Sequence, residues 1–224
     1  MIKAVLFDFD ETLQDRTLAF EKYMDTFFDA YCPDIDEKEK EKRKEDMRIT
    51  GNGGYVDREQ WYAKLCKMWQ WKDAPSSTEL VNHYDTTFGD CNVIFDDSPV
   101  LLKALKKRGY IVGVITNGPS VLQNHKMDTS GLRPFCDIVV VSGDVGVHKP
   151  DPGLFVYTAN KLGLKPEECV YVGDHPVNDI QGALGAGMKA IRMNWGWFRN
   201  QQLSADIPTV EKIIDVLSCV ENLK

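Results

Sequence analysis

The sequence predicts an α/β fold, in which a doubly wound parallel sheet carries one large α-helical insertion. Five short apolar runs have the length of buried strands, helical patterns separate the last four runs, and about 80 residues between the first two contain no convincing strand. Continuous apolar runs are typical of strands buried on both faces. Alternation of strand and helix indicates parallel pairing through right-handed crossovers.

The predicted strands and helices follow in order along the chain. The strands are residues 4–7, 111–116, 138–142, 170–173 and 189–193. One helix is expected to begin at a Ser98-Pro99 cap and to end before Gly109, where a glycine suits a C-terminal cap. Three more helices are expected at about 120–130, 152–162 and 178–186.

The segment 15–95 is too long for a crossover connection. Its aromatic and aliphatic residues recur at helical spacing, as in Phe20, Tyr23, Phe27 and Tyr31. We therefore predict a helical domain over 15–95, inserted into an α/β core formed by 1–14 and 96–224.

Composition excludes several classes of protein. The 224 residues have a formal net charge of −7 and no basic patch, which argues against a nucleic-acid partner. No segment approaches the roughly 18 consecutive apolar residues of a membrane span. The six cysteines lie at least 25 residues apart without metal-like spacing, so we expect reduced thiols and a cytoplasmic protein.

Polar side chains follow four of the predicted strands. Asp8 and Asp10 follow the first strand, Thr116-Asn117-Gly118 the second, Lys149 the third after a short loop, and Asp174 with Asp179 the fourth. Ligands of open parallel sheets bind beyond the carboxyl ends of the strands. The sequence therefore predicts one polar site at this edge of the sheet.

Carboxylates gathered in one cleft need positive charge, because two unit charges 4 Å apart repel by roughly 4 kcal/mol at an effective dielectric constant near 20. Oxygen ligands without histidine or cysteine suit Mg²⁺, which commonly binds carboxylates together with a substrate phosphate. Lys149 supplies a second positive charge. Thr116 Oγ and the free backbone amides of Asn117 and Gly118 are expected to bind the remaining phosphate oxygens.

The two aspartates after the first strand suit phosphoryl transfer. Asp8 is the candidate covalent nucleophile on phosphorus. Residues two apart in a strand face the same way, so Asp10 is expected beside the same phosphoryl group, where it can protonate the leaving alkoxide and later accept a proton from water.

Four motifs together resemble the haloacid dehalogenase-like superfamily. They are DFDETL at 8–13, TN at 116–117, HKPDPGLF at 148–155 and GDHPVNDI at 173–180. The resemblance covers roughly residues 3–198, and each motif stands in the expected order at a predicted strand end. It implies a Rossmann-like core with an inserted α-helical cap domain.

The resemblance also implies roles for individual residues. The chain would be a Mg²⁺-dependent phosphohydrolase of small phosphorylated metabolites that forms an aspartyl-phosphate on Asp8. Asp8, Asp174 and the backbone carbonyl of Asp10 would bind Mg²⁺, and Asp179 would support the metal shell. By the same carry-over Thr116, Asn117 and Lys149 bind the phosphoryl group, while the helical insertion acts as a mobile cap. Glu11 departs from the family's pattern, since many relatives have glycine there.

Alternatives remain open on the sequence alone. Dehalogenase relatives lack the second aspartate, so Asp10 disfavours that activity. A sugar-phosphate mutase keeps both aspartates, and a catalytically silent binding protein on the same fold is a further alternative. The substrate is left open among 5′-nucleotides, phosphoglycolate and small sugar or polyol phosphates. The aromatic residues of the insertion favour a flat leaving group slightly; they are Tyr55, Trp61, Tyr62, Trp69 and Trp71. The sequence assigns no role to His148 or His175. It also does not indicate an oligomeric state.

Overall fold

The computed structural model describes residues 1–203 and 206–223. A six-stranded sheet lies at its centre, with the strand order β3-β2-β1-β4-β5-β6 and all neighbouring strands parallel. The strands are β1 (Ala4–Phe7), β2 (Ile111–Thr116), β3 (Ile138–Val141), β4 (Cys169–Gly173), β5 (Lys189–Met193) and β6 (Thr209–Val210). The predicted fold class is therefore confirmed. The sequence analysis missed β6, which has only two residues.

The described part of the chain contains ten α-helices. They are α1 (Arg16–Tyr31), α2 (Glu37–Gly51), α3 (Arg58–Met68), α4 (Ser77–Thr87), α5 (Asp97–Lys107), α6 (Ser120–Thr129), α7 (Ser142–Val145), α8 (Pro152–Lys161), α9 (Gly182–Gly185) and α10 (Val216–Asn222). A π-helical segment, Pro176–Gln181, precedes α9. No helix of the described residues has both the length and the apolar character needed to cross a membrane.

The strand order reverses at β1, which pairs with β2 on one side and with β4 on the other. Phe7 of β1 lies opposite Val114 of β2 and Val172 of β4, so the carboxyl ends of the three strands reach the same edge. A crevice forms at such a reversal, and ligands of open parallel sheets bind there.

The sheet separates two apolar layers. Val5 and Phe7 pack into one layer, and Ala4 and Leu6 pack into the other. Alternate residues of a strand face opposite sides of the sheet, so a strand covered on both faces is apolar at every position. This explains why the strands read as continuous apolar runs.

The helical insertion, α1–α4, has an apolar cluster of its own. Tyr23 and Phe27 of α1 pack against Tyr62 of α3, and the Tyr23 and Tyr62 hydroxyls lie 2.7 Å apart. Each of the four helices begins after a side chain that accepts a backbone N–H; these caps are Asp15, Asp36, Asp57 and Ser76. The prediction of helices without strands over this segment is confirmed.

The predicted cap of α5 is wrong. The helix begins at Asp97, one residue before Ser98, and the Ser98 hydroxyl donates a hydrogen bond of 2.9 Å to the Leu13 carbonyl instead. This bond ties α5 to the segment that follows β1. Gly109 has a φ of 84° just beyond the helix, as the predicted C-terminal glycine requires.

We expect Gly113→Ala to lower the melting temperature. Gly113 lies in β2, and a Cβ there would lie 2.6 Å from Ile138 Cγ2 and 2.8 Å from the fully buried Leu6 Cδ2. Overpacking of this kind costs about 1–3 kcal/mol, and each kcal/mol shifts the melting temperature of a chain of this size by roughly 2–4 °C.

Gly185→Ala is the matched control, because a Cβ at this exposed position in α9 would meet Pro152 Cγ at an ordinary 3.4 Å. Thermal unfolding followed by circular dichroism should show no loss of stability in this variant. Equal losses in both variants would contradict the packing argument.

Candidate active site

A cavity of about 300 Å³ opens between the carboxyl edge of the sheet and the helical insertion. All seven predicted site residues line it: Asp8, Asp10, Thr116, Asn117, Lys149, Asp174 and Asp179. The aligned ends of β1, β2 and β4 position most of them. The structure therefore brings the predicted residues together at the reversal of strand order.

Lys149 is the central cation of this cavity. The residue is 5% exposed, and its ammonium donates to Asp8 Oδ1 at 2.8 Å, Asp179 Oδ1 at 2.7 Å and the Tyr171 hydroxyl at 2.8 Å. The three bonds use all three donors of an ammonium group. Burial opposes the charge of Lys149, but the Asp179 and Asp8 carboxylates raise its pKa above the ordinary value.

Asp179 is fully buried, and both of its carboxylate oxygens are engaged. Oδ1 accepts from Lys149, and Oδ2 accepts the backbone N–H of His175 at 2.9 Å. Gly173 makes room for this side chain, because a Cβ there would lie 2.4 Å from Asp179 Oδ2. These contacts are typical of a residue that positions its neighbours, here Lys149 and the backbone of His175.

The donor set fits a hard divalent cation. Asp8, Asp174 and Asp179 each offer a carboxylate oxygen, and these oxygens lie within 4.8 Å of one another. Because both Asp179 oxygens already accept hydrogen bonds, Asp8 and Asp174 are the better candidates for direct ligands. Carboxylate oxygens without nitrogen or sulfur ligands are typical of Mg²⁺ sites.

The electrostatics of the cluster also call for added positive charge. Burial, only partly offset by Lys149, raises the pKa of Asp8 to about 7. Burial and the charges of Asp179 and Asp8 raise the pKa of Asp174 well above its usual range. A bound cation would favour the ionised form of both carboxyls, because opposite charge stabilises a carboxylate.

Asp10 has the opposite environment, although it lies only two residues from Asp8. Lys126 Nζ donates to its two oxygens at 2.5 and 2.6 Å, and Gln14 Nε2 donates to Oδ1 at 2.5 Å. Burial raises the pKa of Asp10, but the charges of Lys126 and Arg16 outweigh it and lower the pKa to about 2. Asp10 is therefore ionised in this structure.

The polar groups of the turn after β2 form more hydrogen bonds within the protein than the sequence predicts. The Gly118 N–H was expected to be free for a phosphate oxygen, but it donates to Ser142 Oγ at 3.0 Å. The Asn117 side chain brackets the backbone of Lys149, donating to its carbonyl and accepting its N–H, both at 2.9 Å. Thr116 Oγ accepts a hydrogen bond from Gln123 Nε2.

Sequence reasoning missed several residues of the site. Tyr171, Gln123 and Lys126 contact predicted residues directly, and Arg16 lines the cavity. Gln123 and Lys126 lie three residues apart, which places them on one face of α6. That spacing is visible in the sequence, whereas the direction in which the face points depends on how α6 packs.

The two histidines next to the motifs have structural contacts. His148 Nδ1 lies 2.8 Å from Ser142 Oγ, and His175 Nδ1 accepts the backbone N–H groups of Val177 and Asn178 at 3.1 Å each. The His175 ring also packs against Tyr55 of the helical insertion, with 5.5 Å between ring centroids.

Two of the five aromatic residues that the sequence analysis associated with a flat leaving group line a cavity in the described part of the chain. Tyr55 lines the cavity at the sheet edge, and Trp61 lines a second cavity beside it. The others pack within the apolar cluster of the insertion; they are Tyr62, Trp69 and Trp71. These three give no support to a flat leaving group.

Two relatives that align with nearly the whole chain are a phosphatase and a pyrophosphatase by name. The chain is 32% identical over 218 residues to the glyceraldehyde 3-phosphate phosphatase of Methanopyrus kandleri, an alignment that covers 94% of this chain and 93% of the relative. It is 30% identical over 223 residues to the pyrophosphatase PpaX of Bacillus velezensis, covering 96% and 95% of the two chains.

Solved structures agree in fold. The HAD phosphatase from Thermococcus onnurineus superposes with a TM-score of 0.67 at 27% identity, covering 98% of each chain. The HAD-hydrolase YfnB from Bacillus subtilis has a TM-score of 0.77 at 21% identity, covering 98% of this chain and 99% of that one. The sequence model of the haloacid dehalogenase-like hydrolases matches residues 2–187. The chain belongs to the haloacid dehalogenase-like hydrolase family.

Proposed function

We propose that this protein is a Mg²⁺-dependent phosphohydrolase that cleaves a small phosphorylated metabolite through an aspartyl-phosphate on Asp8. The observation that carries the proposal is the convergence of Asp8, Asp174 and Lys149 in one buried cavity. The phosphatase names of the relatives support the reaction class.

Asp8 is the proposed nucleophile. Its carboxylate oxygen forms a bond to phosphorus, and the bond from phosphorus to the leaving-group oxygen breaks. Lys149 holds one Asp8 oxygen, which orients the carboxylate, and contributes positive charge beside the transferring group. Thr116 and the backbone amide of Asn117 are the proposed ligands of the remaining phosphoryl oxygens.

Mg²⁺ is the proposed cofactor. Asp8, Asp174 and the Asp10 backbone carbonyl would hold it, and Asp179 would support the site through Lys149. When bound, the ion supplies positive charge that offsets the carboxylates and the substrate phosphate.

Asp10 is the proposed acid and base. Its ionised state suits a base that takes a proton from the water that hydrolyses the aspartyl-phosphate. In the first half of the reaction the leaving alkoxide needs a proton, so Asp10 must carry one at that stage. The proton that Asp10 takes from the attacking water restores this protonated form for the next turnover, so the two proton transfers balance.

The helical insertion is the proposed cap domain, with boundaries at 15 and 95. Arg16, Tyr55, Arg58 and Tyr84 extend from it into the cavity, where the leaving group must lie. Substrate choice would therefore depend on these residues. The relatives act on different phosphates, so family membership alone leaves the substrate at the level of a class. All six cysteines are free thiols, as in a reducing compartment, and we place the enzyme in the cytoplasm.

We expect Asp8→Asn to reduce the release of inorganic phosphate by at least about 10³-fold, because an amide cannot replace the nucleophile. The assay screens phosphate release from a panel of metabolites in Mg²⁺. Analysis of the products by ³¹P nuclear magnetic resonance separates a hydrolase, which releases inorganic phosphate, from a mutase, which returns an isomeric ester.

Asp34→Asn, at an exposed position outside the cavity, is the control and should retain wild-type turnover. Substantial phosphate release by Asp8→Asn would exclude Asp8 as the nucleophile. Absence of turnover on the whole panel by the wild-type protein would favour a binding protein.

We expect Asp174→Asn to raise the melting temperature of the Mg²⁺-free protein at pH 8. A carboxyl with a raised pKa binds its proton more tightly in the folded than in the unfolded state, so it destabilises the fold as the pH rises above the ordinary value. Removing this charge should therefore raise the melting temperature, measured by thermal unfolding without Mg²⁺.

Mg²⁺ should stabilise the wild-type protein and have little effect on Asp174→Asn, since binding to the folded state raises its stability. Asp34→Asn again serves as the matched control. An equal response of the wild type and Asp174→Asn to Mg²⁺ would remove Asp174 from the metal site.

A further inference from the structure

A second cavity, of about 240 Å³, adjoins the one at the sheet edge. Its own wall includes the apolar side chains of Phe20, Val56 and Trp61, together with Glu21 and Arg48, which form an ion pair with each other. Arg16 and Arg58 line both cavities, so they stand where one leads into the other. A leaving group that extends away from Asp8 into the second cavity would pass these two guanidinium groups.

The other cations of the first cavity each pair with a carboxylate, whereas the carboxylates of Asp10 and Glu11 act on Arg16 only at longer range. Lys149 pairs with Asp8 and Asp179, Lys126 pairs with Asp10, and Arg58 pairs with Asp85. Among the residues that the structure describes, Arg16 forms no salt bridge, and the hydrogen bond of its Nη1 goes to the Gly53 carbonyl at 2.5 Å.

The backbone of the insertion holds the Arg16 guanidinium in place. Arg16 is the first residue of α1, directly after the capping residue Asp15. A Cβ on Gly54 would lie 1.9 Å from Arg16 Nη2, so the guanidinium occupies the space that a side chain at Gly54 would fill. A guanidinium has five N–H donors. The Gly53 carbonyl and the Tyr84 hydroxyl engage some of them, and the others are available to a ligand.

The transferred phosphoryl group has its own cation in Lys149, on the core side of the cavity. Arg16 comes from the helical insertion and is available for a different negative charge. A guanidinium binds carboxylate and phosphate through two parallel hydrogen bonds, which makes arginine the common choice for such groups.

We propose that Arg16 binds a second anionic group, a carboxylate or a phosphate, on the leaving group of the substrate. The inference rests on the proposed phosphohydrolase function and narrows its substrates to phosphomonoesters that carry another negative charge. Arg16 is thus a specificity-determining residue for the leaving group.

The test compares acid and alcohol forms of the same phosphomonoester. The pairs are 3-phosphoglycerate with glycerol 3-phosphate, 4-phosphoerythronate with erythritol 4-phosphate, and 6-phosphogluconate with sorbitol 6-phosphate. A fourth comparison sets fructose 1,6-bisphosphate against fructose 6-phosphate, which separates a second phosphate from a carboxylate. The readout is the ratio of kcat/KM within each pair, measured in Mg²⁺.

For the wild-type enzyme we expect a ratio of at least about 10 in favour of the anionic member in one or more pairs, as hydrogen bonds to charged groups produce. Arg16→Gln should bring that ratio to within about threefold of unity. Arg16→Lys keeps the charge without the planar fork and should give an intermediate ratio. The intermediate variant also tests the proposal if Arg16→Gln fails to fold.

Arg108→Gln is the matched control, since Arg108 pairs with Glu221 at the surface and lines neither cavity. Its ratios should equal those of the wild type. Wild-type ratios near unity in every pair would overturn the proposal while leaving the hydrolase function standing. A ratio unchanged in Arg16→Gln and Arg16→Lys would show that Arg16 only balances the nearby acidic residues. Lack of hydrolysis of any ester by the wild type would overturn both proposals.

Discussion

The buried ammonium of Lys149 is the interaction on which the site depends. It joins the residue after β1, a residue of the π-helical segment after β4, and the hydroxyl of Tyr171 within β4. An ion taken out of water must recover its lost solvation from such partners, and removing one of them leaves an uncompensated charge. The Asn117 side chain fixes the Lys149 backbone as well, so the second strand contributes to the same arrangement.

Two aspartates in one motif acquire different properties because different cations serve them. Asp8 shares Lys149 with Asp179 and has a pKa raised to about 7, chiefly by burial. Lys126 forms a salt bridge with Asp10, and despite burial the charges of Lys126 and Arg16 lower the pKa of Asp10 to about 2. Separated pKa values of neighbouring carboxyls are a common sign of distinct chemical roles. Asp8 shares its cation with Asp179, whereas Lys126 donates to both oxygens of Asp10.

The sequence alone predicts which residues lie at the carboxyl edge of the sheet. It does not predict the contacts that neighbouring residues make with them. Parallel pairing aligns strand ends, so Asp8, Thr116 and Asp174 could be placed together from their positions alone. The other contacts of the site depend on how segments that are distant in the sequence pack together. Ser98 bonds to Leu13 instead of capping its helix, and Gly118 donates to Ser142, because distant segments offered those partners.

We propose that Asp8, oriented by Lys149, accepts the phosphoryl group of the substrate. Acid quenching of the enzyme during turnover, followed by peptide mass spectrometry, tests this directly. We expect a phosphoryl group on the peptide that contains Asp8, localised to that carboxylate by fragmentation. Turnover without any phosphorylated peptide, or with the label on another residue, would contradict this proposal.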